Sequence, residues 1–183
     1  MLMGILLLWP LAACDVAPDA PEAAPETLLQ AAERGDTEQI SRLLEQPGQA
    51  VDQRDACLFT PLMKAALNGR LEAARRLIDN GAQVDLQDKG GYTALMLAAS
   101  NNFVELVDYL VTQGAEVDHV EHSNGWTALI WASRLGHRET VQLLLRHNGD
   151  PTIRDQQGLS ASDHARLGGH DAVLELLQPG ASG

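Results

Sequence analysis

The stretch Asp88-Lys-Gly-Gly-Tyr-Thr93-Ala-Leu-Met-Leu-Ala-Ala99-Ser-Asn-Asn102 returns, altered, along the whole chain. Upstream it reads Asp55-Ala-Cys-Leu-Phe-Thr60-Pro-Leu-Met-Lys-Ala-Ala66-Leu-Asn-Gly69. Downstream it reads Gly125-Trp-Thr127-Ala-Leu-Ile-Trp-Ala-Ser133-Arg-Leu-Gly136, and then, degraded, Asp155-Gln-Gln-Gly-Leu-Ser160-Ala-Ser-Asp-His-Ala165-Arg-Leu-Gly-Gly169. The hydroxyl residues Thr60, Thr93, Thr127 and Ser160 are 33, 34 and 33 residues apart. Self-similarity at that period marks one small structural unit stacked on copies of itself.

Each recurring residue has a physical reason. Thr60, Thr93 and Thr127 can accept a backbone N–H as helix N-caps. Pro61 follows at the first helical position, where its missing N–H is harmless. The pairs Ala65/Ala66 and Ala98/Ala99 let neighbouring helices approach closely. Gly69 and Gly136 suit the tight turn into a second helix. That helix shows apolar residues at helical spacing: Val104, Val107, Leu110 and Val111 in one copy, Val141, Leu144 and Leu145 in the next. Gly81, Gly114 and Asn148 fit left-handed C-caps.

The pattern resembles the ankyrin repeat, near D-x-x-G-x-T-P-L-H-x-A-A, over residues 26–178. Met63, Met96 and Ile130 stand at the usual His, and Leu58 stands at the usual turn glycine, which puts the normal turn of that copy in question. Residues 121–125 hold one residue more than the equivalent turns. The resemblance implies an all-α solenoid of about five helix–turn–helix units, joined by short β-turn fingers. Leu28, Leu29, Ala31, Ala32, Ile40, Leu43 and Leu44 form a first unit that lacks the turn signature, an N-terminal cap. The last unit, 155–178, is atypical as solenoid ends are, and residues 179–183 read as a flexible tail.

The chain has 183 residues, 45% of them hydrophobic, enough for a packed core, and a net charge of −12. So acidic a chain repels phosphate backbones, which argues against nucleic acid. Residues Leu2–Ala13 are apolar and uncharged, too short to span a bilayer as an ordinary helix but suited to the core of a secretory signal. The run ends Leu11-Ala12-Ala13-Cys14, which resembles the lipobox of bacterial lipoproteins. That resemblance implies a signal over 1–13, cleavage before Cys14, lipidation of that cysteine, and anchoring to a bacterial membrane facing the periplasm. Residues 1–13 carry no Lys or Arg, so a plain cleaved signal and a soluble periplasmic or secreted protein is the alternative. The following stretch, to Pro25, holds Pro18, Pro21, Pro25 and several acids and reads as a semi-rigid spacer. With Cys14 lipidated, Cys57 has no intrachain partner and reads as an exposed turn thiol.

No phosphate loop, nucleophile turn or zincin helix is present, so the expectation is a non-enzyme without cofactor or metal. The nearest approach to a metal site, His119-Val-Glu-His122, falls in the lengthened turn and reads as a solvated loop. His137 and His170 read as structural hydrogen-bonding residues. The resemblance implies a partner protein held by the concave face and fingers. Carried over by position, the residues before the marker hydroxyls are Phe59, Tyr92, Trp126 and Leu159, an aromatic ladder that is either a binding stripe or a loop cover. Leu67, Asn68, Ser100, Asn101, Arg134 and Leu135 are the neighbouring variable positions, and Trp131 extends the patch. The function expected is a monomeric protein-binding scaffold of the bacterial envelope. The alternative is an immunity or inhibitor protein whose acidic surface neutralises a toxic enzyme in the periplasm.

Overall fold

A computed structural model describes Thr27–Gln178, and within it ten helices and no strand. They pair as α1 (Leu28–Arg34) with α2 (Thr37–Leu44), α3 (Pro61–Leu67) with α4 (Leu71–Asp79), and α5 (Ala94–Ser100) with α6 (Val104–Thr112). The last two pairs are α7 (Ala128–Leu135) with α8 (Arg138–Arg146), and α9 (Ala161–Gly168) with α10 (Asp171–Leu177). Each odd helix packs on the odd helices beside it, and each even helix on the even ones, so the units stack into two helical layers. Helices this short are marginal alone, so stacking holds them.

The marker hydroxyls act as N-caps. Thr60, Thr93, Thr127 and Ser160 accept the backbone N–H of Met63, Met96, Ile130 and Asp163. Thr27 does the same for Gln30, whose side chain bonds back to close a capping box. It lies 33 residues before Thr60 and is the first marker of the series, so the opening unit keeps its helix start although it lacks the turn. The alanine pairs are fully enclosed, from Ala31 and Ala32 through Ala65, Ala66, Ala98 and Ala99 to Ala132. On the outer helices Val107, Leu110, Val141 and Leu144 are buried, with Val104, Val111 and Leu145 packed at their margin.

The last unit is altered where it has no successor. Leu62, Leu95 and Leu129 are buried, but their counterpart is the half-buried Ser162. Arg166, exposed, stands where Ala66, Ala99 and Ser133 are enclosed. A sixth inner helix could not approach that guanidinium as closely as it would an alanine.

The turn of the second unit is the normal one. Leu58 adopts φ +67°, matching Gly91, Gly125 and Gly158 at the same repeat position, so the leucine accepts a left-handed conformation instead of changing the turn. The left-handed C-caps are present at Gly81, Gly114 and Asn148.

Candidate binding face

Fingers and inner helices are tied by carboxylates. Asp55 accepts the backbone N–H groups of Cys57 and Phe59, and Asp88 those of Gly90 and Tyr92. Asp155 accepts those of Gln157 and Leu159. The lengthened finger uses Glu121, which accepts from Ser123, Asn124 and Trp126. Adjacent fingers join through Lys89 N–H to Cys57 O, His122 N–H to Gly90 O and Gln156 N–H to Asn124 O.

Into this frame the aromatic residues fit unequally. Phe59 is 6% and Trp126 9% exposed, so both serve mainly as packing. Tyr92 and Trp131 are half-buried and their ring centroids lie 6.1 Å apart. Trp131 meets the edge of Trp126 at 4.5 Å, and Trp126 meets His164 at 5.2 Å. The ladder therefore zigzags between finger and helix, through Trp131, instead of running along the fingers. Lys64 lies 4.8 Å over the Phe59 ring and 3.2 Å from Asp55. Arg134 lies 5.1 Å over Trp126. Leu67, Asn68, Arg134 and Leu135 are half-buried, and Asn101 is exposed. Asn68 and Asn101 each turn an amide back onto a carbonyl of their own helix, Lys64 O and Leu97 O.

One buried knot was not foreseen. Trp126 Nε1–H and His164 Nε2–H both donate to Asp155 Oδ2, at 3.0 Å and 2.7 Å. Burial pushes the Asp155 carboxyl up, but the N–H donors of Leu159, His164, Trp126 and Gln157 outweigh it and hold the group at about 2. His164 lies at the repeat position of Lys64, Leu97 and Trp131; counting four residues on from Ser160 would have placed it there. Burial also raises the Tyr92 phenol to about 12, reinforced by the charges of Glu121 and Asp88, so its hydroxyl stays neutral in ordinary solution.

The remaining histidines tie units together. His137 Nε2–H donates to Ser100 O at 3.1 Å and His170 Nε2–H to Arg134 O at 3.0 Å, the structural role expected of both. In the 119–122 segment, His119 faces Glu116 at 3.3 Å while Glu121 is turned inward on backbone N–H groups. Among the described residues no three His, Cys, Asp or Glu side chains are grouped to hold a metal. Cys57 departs from expectation: it is buried, at 6% exposure, and closed in a disulfide. The chain's other cysteine, Cys14, lies outside the described residues, as do the signal, the spacer and the tail. No described helix is long and apolar enough to cross a membrane.

A family model described as ankyrin repeats (3 copies) matches residues 28–121 and 105–182. The chain belongs to the ankyrin-repeat family. Ankyrin repeats build protein-binding scaffolds, and that general role comes with membership. The human ankyrin repeat domain-containing protein 63 is 42% identical over 59 residues, covering 32% of this chain and 16% of that protein. The human NAD-capped RNA hydrolase NUDT12 is 40% identical over 60 residues, 33% of this chain and 13% of that enzyme. The match thus takes in less than a fifth of either relative.

Proposed function

We propose that this ankyrin stack binds a partner protein on the face formed by its inner helices and fingers, centred on Tyr92 and Trp131. The observation that carries the reading is the Tyr92–Trp131 ring pair, left half-exposed on a layer whose other large apolar residues are buried. Rigid aromatic surface of this kind is where binding energy concentrates, about 2 kcal/mol or more for each side chain truncated. Leu67, Asn68, Asn101, Arg134 and Leu135 frame the pair; Phe59 and Trp126 support it from beneath.

The stack is proposed to work in the bacterial envelope, exported by the 1–13 signal and anchored by a lipid on Cys14. The apolar run before Leu11-Ala12-Ala13-Cys14 supports export. So does the disulfide at Cys57, because such bonds persist in oxidising compartments. A sulfur carrying a lipid thioether cannot also close a disulfide, so in the lipidated protein Cys57 would require a different partner or be a thiol.

Two measurements test these statements. In a pull-down, Tyr92→Ala/Trp131→Ala should lose the partner while its thermal unfolding stays near wild type. A folded double variant that retains every partner rules out the face. For the anchor, palmitate labelling and globomycin-sensitive processing should appear in wild type and vanish in Cys14→Ala. Absence of both from wild type would mean that the protein is not a lipoprotein.

A further inference from the structure

The chain is strongly acidic, yet its acid is unevenly placed. The inner helices α3, α5 and α7 contain Lys64 and Arg134 and no Asp or Glu. The outer helices α4, α6 and α8 carry Glu72, Asp79, Glu105, Asp108 and Glu139. The finger carboxylates bordering the inner face are occupied by backbone N–H groups, and Glu121 and Asp155 are buried as well. Lys64 is paired with Asp55. Arg134 differs: it lies flat on Trp126, half-buried, and no described carboxylate pairs with it. A guanidinium stacked on an indole keeps its N–H edges directed sideways, in the fork that matches a carboxylate.

We propose that the segment seated on this face is an acidic stretch of a partner protein, and that Arg134 selects it by pairing with one of its carboxylates beside the Tyr92–Trp131 pair. The inference rests on the binding-face reading above and adds the charge of the occupant. It reverses the simplest use of the net charge: a basic partner would meet the outer helices, not the inner face.

A random peptide library displayed on phage and panned against the full chain tests this. The recovered peptides should be enriched in Asp and Glu. Each should bind Arg134→Glu at least about tenfold more weakly, the loss of one charge-assisted pair. Replacing the peptide's key acid by lysine should restore binding to that variant. Arg134→Lys keeps the charge without the fork and should fall between. Thermal unfolding of both variants shows whether the Trp126 contact has simply collapsed. Peptides without acidic bias, no recoverable peptide, or binding unchanged in folded Arg134→Glu would overturn the proposal. Peptides that need Trp131 but ignore Arg134 remove the charge inference alone; peptides indifferent to both remove the face.

Discussion

Glu121 Oε1 accepts the backbone N–H of Trp126 at 3.2 Å across a finger that is one residue longer than its neighbours. The other fingers use aspartate, and the extra methylene of Glu121 spans the extra residue. Alignment of the inter-finger bonds identifies that residue as Ser123, since His122 matches Lys89 and Asn124 matches Gly90. Glu121→Asp should therefore leave buried N–H groups unpaired, costing about 1–3 kcal/mol in chemical denaturation. Deleting Ser123 in the Asp variant should recover most of it. If the double change is no better than the single one, the compensation is not as described.

Asp155 links finger, Trp126 and His164, and its carboxyl is held at about 2, below the ordinary 3.8. A depressed pKa stabilises the fold above the unfolded value, and the contribution is lost as pH falls from 3.8 through about 2. Asp155→Asn should be less stable at neutral pH and should lose less stability across that acid window. Acid titration followed by circular dichroism compares the two; equal steepness would remove Asp155 as the cause.

His137 is pushed below its ordinary 6.5 chiefly by burial, partly opposed by its bond to Ser100 O. The unfolded chain takes up the proton first, so stability falls as pH drops below 6.5. The imidazole resonance of His137 should titrate with a midpoint under 6.5, and His137→Gln should flatten the stability profile there. A midpoint at or above 6.5 contradicts this.

Leu58 and Gly91 occupy the same finger position, both with positive φ. The left-handed region costs a leucine roughly 1–2 kcal/mol, offset in part by the greater unfolded freedom of glycine. Leu58→Gly should raise stability by up to about 1 kcal/mol. Gly91→Ala should lower it, because a Cβ would lie 2.9 Å from the His122 ring and 3.0 Å from its backbone nitrogen. Two equilibrium unfolding curves of opposite displacement check the pair.

The sequence alone determined the repeat, its helix starts and its close-packed alanines. These follow from local causes: a threonine hydroxyl caps the helix that begins beside it, and a small side chain permits approach wherever it stands. It also sufficed for His137 and His170, whose repeat register implied their bonds. Thr27 was equally legible, 33 residues before Thr60, but lacked the flanking turn that draws notice. Tertiary structure decided the rest. Phe59 and Trp126 looked like surface beside Tyr92, yet they are buried because Lys64, Trp131 and His164 close over them from the helices. Cys57 looked like an exposed turn thiol and is buried in a disulfide. The role of Glu121 needed the path of its longer turn, and the Asp155–Trp126 bond spans 29 residues. Burial at each of these positions is set by side chains one repeat away, at distances in space that a linear pattern does not encode.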